Sequence, residues 1–262
     1  MGRRIVILGY VAAAGCASVW LDRLIFLPDT TIPHPPPGVE ERWITTRDHV
    51  RIHAWYVPAR EARATLVWSH GNAGNIAGRV DVALALAARG IDVLAYDYRG
   101  YGRSEGRPSE AGVYLDAEAA YDSAGALPIV CFGESLGGAV SIHLASVRPC
   151  AGVAVVSTWT TLRDVARSHY GPLAALVGDR FDSLARIGTL SVPVFVAHGD
   201  RDEVVPFALG ERLFAAAREP KRFLRIKGAH HNDVLASPPL LDAIAEFAGQ
   251  VRAHLCGREI SW

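Results

Sequence analysis

The chain has 262 residues, of which half are hydrophobic, and its 27 Lys and Arg side chains balance 27 Asp and Glu side chains. This length and composition suit one large α/β domain with a well-developed core and exclude an intrinsically disordered protein. The balanced charge, without any basic run interleaved with aromatic residues, excludes nucleic acid as an expected partner. The four cysteines have no C-x-x-C spacing, which excludes a zinc site and a disulfide-rich scaffold.

The N-terminus has the pattern of a membrane-targeting segment. A basic start, Met1–Arg4, precedes a run without charge from Ile5 to Leu21. About 17 apolar residues are at the lower limit for a membrane span, and the arginines would stay in the cytoplasm. We therefore expect residues 1–23 to be a membrane anchor or a lipoprotein signal, because Ala13-Ala14-Gly15-Cys16 is similar to a bacterial lipobox. A helix buried in the domain is the alternative.

The next segment, residues 24–40, is predicted to be a spacer, because Pro33–Gly38 can only be extended. The folded domain is then expected to occupy residues 41–262, outside the cytoplasm and tethered to a membrane. If so, removing the chain up to about Pro37 should leave this domain folded.

From residue 41 onward, short apolar runs alternate with helical patterns. The predicted strands are Arg42–Thr46, Val50–Val57, Thr65–Ser69, Asp92–Asp97, Pro128–Phe132, Gly152–Val156, Val192–Ala197 and Arg222–Ile226. The predicted helices are Arg79–Arg89, Glu110–Ala126, Ala139–Val147, Phe207–Ala217 and Pro239–Leu255. This alternation predicts a mostly parallel sheet with helices on both faces, which begins with an antiparallel hairpin. Residues 157–189 leave room for a small lid at most, and the alternative is that they form only core helices.

The most informative stretch joins a strand, a tight turn and a helix around Ser135. The turn is Gly133-Glu134-Ser135-Leu136-Gly137, and a Gly-x-Ser-x-Gly pattern in this context forms a nucleophile elbow. Ser135 is therefore the predicted nucleophile. A second copy of the pattern contains Ser104 but is followed by Pro108, which cannot begin a helix at once, so we interpret Ser104 as a loop residue. Cys131, in the strand before the elbow, is interpreted as a small buried hydrophobic residue.

A nucleophilic serine needs a general base, and the base needs an acid that orients it. The loop after the strand Val192–Ala197 carries Asp200 and Asp202, and the loop after the last strand carries His230 and His231. Loops that follow parallel strands meet at the carboxyl edge of the sheet, where these side chains are expected to approach the serine. His70 and His198, at strand ends, are expected to bond to loop backbone.

From about Trp43 onward the chain resembles the α/β-hydrolase superfamily, and in particular its serine-aminopeptidase-like branch, which includes membrane-tethered acyl-protein depalmitoylases. The stretches that carry the resemblance are Ser69–Asn75, Asp97–Gly106, Gly133–Gly138, His198–Asp202 and His231–Asp233, with Leu24–Pro28 beside the anchor.

The resemblance implies that Ser135 is the nucleophile, Asp202 the acid and His231 the base, with Asp200 and His230 as the alternatives. It also implies an oxyanion hole made by the backbone N–H groups of Leu136 and Asn72. Ala73 remains an alternative to Asn72.

The expected activity is hydrolysis of ester, thioester or related acyl bonds in a small-molecule or acylated substrate, through an acyl-enzyme intermediate. This chemistry requires no metal and no organic cofactor. An aminopeptidase or amidase of the same fold is one alternative, and it would need an acidic pocket for a free amine. A catalytically silent, membrane-tethered binding protein is the other, against which the intact Ser135, Asp202 and His231 argue. Trp159 and Tyr170 are the candidates for an acyl pocket.

Overall fold

The computed structural model describes residues 21–23, 25–255 and 260, and its strands and helices alternate along the chain. The strands are β1 (Leu27–Pro28), β2 (Glu40–Thr45), β3 (Arg51–Val57), β4 (Thr65–Ser69), β5 (Ala73–Gly74), β6 (Asp92–Tyr96), β7 (Ile129–Glu134), β8 (Gly152–Val156), β9 (Val194–Gly199) and β10 (Lys221–Ile226). The main helices are α1 (Val80–Ala87), α2 (Glu110–Asp122), α3 (Leu136–Val147), α4 (Leu162–Tyr170), α5 (Ser183–Ile187), α6 (Phe207–Ala216) and α7 (Pro238–Leu255). Short 3₁₀ turns lie at Ile76–Arg79, Gly171–Val177 and Val234–Ala236.

The central sheet has eight strands in the order β10-β9-β8-β7-β4-β6-β3-β2. The hairpin β2–β3 is antiparallel and β3 also runs antiparallel to β6, whereas the other neighbours are parallel. Every residue of β4, β6, β7, β8 and β9 is buried, because helices cover both faces of the sheet. The predicted mostly parallel sheet with an antiparallel hairpin at its start is confirmed.

Two hydrophobic clusters pack on opposite faces of this sheet. Successive side chains of a strand point to opposite faces, so Val67 joins one cluster while Leu66 and Trp68 join the other. Likewise Cys131 and Phe132 contribute to different clusters. Because both faces are packed, the carboxyl ends of the strands have fixed positions, and the loops that follow them start from a rigid edge.

Residues 157–189 form the short helices α4 and α5 joined by a 3₁₀ turn. They bridge β8 and β9, and Leu162 and Val165 of α4 line the cleft that contains Ser135. The segment stays within the predicted limit of a small lid at most. Helix α3 begins at Leu136, three residues before the predicted start, because the turn at Ser135 leads directly into the helix.

Residues 24–40 do not form a spacer over their whole length, because the first part of this segment packs on the domain. Strand β1 pairs in parallel with β5, so that Leu27 lies opposite Ala73. The side chain of Phe26 is 3% exposed and meets the ring of Phe181 edge-on. Removing the chain up to Pro37 would therefore delete a core side chain and a strand pair. This argues against the expectation that the truncated domain stays folded.

The predicted anchor falls largely on residues 1–20, which lie outside the described residues. In the part of the chain that the structure describes, no helix is both long and apolar enough to cross a membrane.

Cys131 of β7 is paired with Cys150, which follows α3, in a disulfide with a Cα–Cα separation of 6.1 Å. Cys131 is fully buried in the core, as interpreted, and the disulfide is an additional feature that the sequence did not indicate. Helix α3 packs against β7 and returns the chain to the start of that strand, so two cysteines 19 residues apart become neighbours.

Candidate active site

Ser135 occupies a strained turn between β7 and α3. Its φ and ψ are 50° and −117°, a backbone region that residues other than glycine rarely adopt. A Cβ atom on Gly133 would lie 2.1 Å from the carbonyl oxygen of Gly137, and one on Gly137 would lie 1.8 Å from that of Ser69. Both positions therefore require glycine, and the packing around them holds the serine in this conformation.

The structure brings Ser135, His231 and Asp202 together from the loops after β7, β10 and β9. The Nε2 atom of His231 lies 3.1 Å from the Oγ atom of Ser135. Its Nδ1 atom lies 2.8 Å from the Oδ2 atom of Asp202. The side chain of His231 is 11% exposed and that of Asp202 is fully buried, so the series of hydrogen bonds runs from the cleft into the interior.

The two alternative side chains point elsewhere. The carboxylate of Asp200 accepts hydrogen bonds from Nε of Arg225 at 2.9 Å and from the backbone N–H of Gly228 at 2.6 Å. The Nδ1 atom of His230 lies 2.9 Å from a carboxylate oxygen of Glu203. In each pair of candidates, the two aspartates and the two histidines, one side chain is therefore directed toward the Ser135 site and the other toward solvent-exposed partners.

Burial opposes the charge of Asp202, but hydrogen bonds from His198 and His231 outweigh it and hold the pKa of Asp202 well below its ordinary value. Its Oδ1 atom also accepts the backbone N–H groups of Val204 and Val205, at 3.0 and 2.7 Å. Asp202 is thus ionised at neutral pH. Its charge stabilises the folded protein above about pH 4, the ordinary pKa of Asp, and this contribution is lost as the pH falls further.

His198 makes a contact with Asp202 that the sequence did not predict. Its Nε2 atom lies 3.0 Å from the carbonyl oxygen of Val205, as expected for a histidine that bonds to loop backbone. The same atom lies 3.3 Å from Oδ2 of Asp202. The spacing of four residues between His198 and Asp202 across one tight loop is the sequence signal that indicates this contact.

Residues Gly71, Asn72 and Ala73 line the same cleft as Ser135 and His231. The backbone N–H of Gly71 donates to Oε1 of Glu134 at 3.0 Å, and this carboxylate also pairs with Arg79 at 2.7 Å. The N–H of Gly71 is therefore already used, which leaves residues 72 and 73 as donors from this loop.

The other predicted donor, Leu136, is the first residue of α3, where backbone N–H groups have no acceptor within the helix. The assignment of the oxyanion hole to Leu136 and Asn72 stays a prediction.

The cleft beside Ser135 has a volume of about 590 Å³. Apolar side chains make up much of its lining, namely Leu27, Val156, Trp159, Leu162, Val165 and Val204. Trp159 lines the cleft, whereas Tyr170 is 69% exposed and does not. Glu134 lines the cleft but is paired with Arg79, and Asp81 is an exposed carboxylate at its edge.

Ser104 lies in a loop and is 8% exposed. Its hydroxyl donates to the carbonyl oxygen of Asp97 and accepts the backbone N–H of His53, both at 2.8 Å. The second Gly-x-Ser-x-Gly copy therefore ties a loop to the sheet. Among the described residues, no cluster of histidine, cysteine and acidic side chains could hold a metal ion.

Comparison with known proteins agrees with this fold. Residues 60–186 match the family model of serine aminopeptidase, S33. An uncharacterised protein of Mycobacterium tuberculosis (strain H37Rv) is 38% identical, over 93% of this chain and 93% of its own. Alpha/beta hydrolase domain-containing protein 17B of Xenopus laevis is 32% identical, over 74% of this chain and 69% of its own.

Solved structures show the same fold at lower identity. The esterase Pf2001 of Pyrococcus furiosus has a TM-score of 0.70 at 20% identity, over 85% of this chain and 96% of that chain. The monoacylglycerol lipase of Paleococcus ferrophilus has a TM-score of 0.64 at 20% identity, over 76% of this chain and 99% of that chain. The chain therefore belongs to the α/β-hydrolase superfamily, and it is a hydrolase.

Proposed function

We propose that the protein is a serine hydrolase that cleaves ester, thioester or related acyl bonds. The observation that carries this proposal is the series of hydrogen bonds from Ser135 through His231 to Asp202. A serine hydroxyl is a weak nucleophile, and an adjacent imidazole held by a carboxylate activates it.

In the proposed reaction, His231 removes the proton from Ser135 as its Oγ atom attacks the carbonyl carbon of the substrate. The negative charge that develops on the carbonyl oxygen is stabilised by the backbone N–H groups of Leu136 and Asn72. His231 then gives its proton to the leaving group, and an acyl-enzyme remains on Ser135. Water attacks this ester with His231 again as the base, which releases the carboxylic acid and restores the serine.

The lining of the cleft supports an apolar acyl group rather than a free amine as the recognised part of the substrate. Valine, leucine and tryptophan side chains surround the space beside Ser135. The carboxylate of Glu134 is neutralised by Arg79 and hydrogen-bonded to Gly71, so it is not available to a substrate ammonium group. Asp81, exposed at the edge of the cleft, is the carboxylate that an aminopeptidase would have to use. We therefore favour an esterase or thioesterase over an aminopeptidase of the same fold.

A substrate panel tests this choice. On p-nitrophenyl esters, kcat/KM is expected to rise by up to about 4-fold per added methylene from acetyl upward, because each buried methylene contributes about 0.8 kcal/mol. The rise should stop once the acyl chain fills the cleft. Aminoacyl p-nitroanilides should react far more slowly, and faster turnover of these amides than of every ester would favour the aminopeptidase instead.

We also propose that a membrane tether at residues 5–21 holds the domain outside the cytoplasm. The uncharged run behind Arg3 and Arg4 supports this orientation. The disulfide between Cys131 and Cys150 supports it independently, because structural disulfides persist in oxidising compartments.

Alkylation of the full-length protein, denatured in maleimide directly from cells, tests this placement. Cys131 and Cys150 should remain unmodified unless a reductant is added first. Alkylation of Cys131 and Cys150 themselves without reduction, located by peptide mapping because Cys16 and Cys256 can also react, would contradict an oxidising location. The intact mass from the same experiment distinguishes a lipidated Cys16 from an uncleaved anchor.

A further inference from the structure

The segment of residues 25–31, which we call the N-terminal strap, lies along residues 70–75, which we call the Asn72 loop. Beyond the β1–β5 pairing, the backbone N–H of Asp29 donates to the carbonyl oxygen of Gly74 at 3.3 Å. The side-chain Nδ2 of Asn75 donates to the carbonyl oxygens of Asp29 and Thr31, at 3.2 and 2.8 Å. The strap therefore contacts most of the loop that lines the cleft beside Ser135.

The side chain of Asn72 is held at both ends of its carboxamide. Its Nδ2 atom donates to the carbonyl oxygen of Ile25 at 2.5 Å. Its Oδ1 atom accepts the backbone N–H of Leu27 at 3.2 Å and the hydroxyl of Tyr101 at 3.0 Å. Tyr101 is fully buried, and its hydroxyl oxygen also lies 3.1 Å from the backbone nitrogen of Leu27. One carboxamide thus joins the strap, the loop and the core.

The strap itself is fixed to other parts of the domain. Phe26 packs in the core against Phe181, which follows the lid helix α4. The carbonyl oxygen of Asp29 accepts the backbone N–H of Gly102 at 2.9 Å. Just before the strap, Asp22 forms an ion pair with Arg180. The strap groups that hydrogen-bond to Asn72 are therefore themselves fixed to the rest of the domain.

We propose that Asn72 is a positioning residue. The strap and Tyr101 hold its side chain, and this fixes the backbone so that the N–H of residue 72 points at the developing oxyanion. This inference rests on the proposed function, since the donor acts on an acyl-transfer transition state. Loss of one oxyanion donor costs about 100- to 1,000-fold in kcat, and a displacement of about 1 Å can cost about 100-fold. A hydrogen bond from a side chain that never touches the substrate can therefore control the rate.

Two tyrosine-to-phenylalanine variants of the full-length protein, purified in detergent, form a matched pair. Tyr101→Phe deletes the hydroxyl that bonds to Asn72. Tyr121→Phe deletes a hydroxyl that donates to the carbonyl oxygen of Pro149, away from the cleft that contains Ser135. Activity is measured on a p-nitrophenyl ester, and kcat is expressed per site titrated with a fluorophosphonate.

Tyr101→Phe is expected to lower kcat about 10-fold and Asn72→Ala about 100-fold, with KM changed by less than about 2-fold, since the interaction acts in the transition state. The inhibition constant of a boronic acid, whose tetrahedral adduct places an oxygen in the oxyanion hole, should rise by the same factors. Tyr121→Phe should match the wild type in all three quantities.

A purely structural role has a different signature and would overturn the proposal. In that case the variants at Asn72 and Tyr101 would show fewer titratable sites or a lower melting temperature, while kcat per titrated site stayed at the wild-type value. If Asn72→Ala does not fold, Tyr101→Phe alone decides between these outcomes. Failure of the proposed function can be distinguished from failure of this inference alone. In that case the wild type itself would neither be labelled nor hydrolyse esters, and both proposals would be wrong.

Discussion

Replacement of Ser135 by alanine is expected to abolish covalent labelling by a fluorophosphonate and to lower kcat on an ester by at least about 1,000-fold. The reason is geometric. Ser135 is the residue of the elbow whose hydroxyl lies 3.1 Å from a ring nitrogen of His231, and no acyl-enzyme can form without it. Labelling and activity are measured on the same full-length preparations, and melting temperature is recorded to show that the variant is folded.

Ser104→Ala is the matched control, because Ser104 occupies the second Gly-x-Ser-x-Gly copy. Its buried hydroxyl joins the backbone of His53 and Asp97, so its loss should lower stability by about 1 to 3 kcal/mol. Labelling per folded molecule should stay at the wild-type level. Persistent labelling of Ser135→Ala, or loss of labelling only in Ser104→Ala, would show that the nucleophile is wrongly assigned.

The second large effect is expected at the proposed base, His231, and its proposed acid, Asp202. His231→Ala should lower kcat by at least about 1,000-fold, as loss of a triad member does. Asp202→Asn should lower kcat by up to about 10,000-fold, because an amide facing Nδ1 of His231 favours the wrong tautomer of the imidazole. KM should change much less than kcat in both variants.

The alternative candidates, His230 and Asp200, provide a matched control for each of these variants. His230→Ala removes a ring that pairs with Glu203, and Asp200→Asn alters a carboxylate that pairs with Arg225. Both pairs lie away from Ser135, so each control should keep kcat within a few-fold of the wild type. A greater loss in His230→Ala than in His231→Ala would reverse the assignment of the base.

The sequence contains enough information for the sheet and for the elbow. Continuous apolar runs such as Thr65–Ser69 can only be buried on both faces, and their alternation with helical patterns predicts the parallel order. The glycines at 133 and 137 predict the turn, because the backbone approaches too closely there for a side chain. Adjacent residues such as His230 and His231 remained ambiguous, because the direction of a loop side chain depends on its neighbours in space.

The contacts that the sequence did not reveal connect residues far apart in the chain. Strand β1 has two residues, too few for any periodicity, and the partners of Asn72 in the strap are 45 and 47 positions away. The same holds for Cys131 and Cys150, whose pairing depends on how α3 returns the chain to the sheet. Propensity and pattern describe local structure, and these contacts arise only when the elements are packed.

The most direct test of the proposed mechanism is mass-spectrometric mapping of the fluorophosphonate adduct on the full-length wild-type protein. We expect one adduct per chain, located on Ser135, with esterase activity lost in proportion to its formation. An adduct on Ser104 or on another residue, or full ester hydrolysis by a chain that forms no adduct, would contradict it.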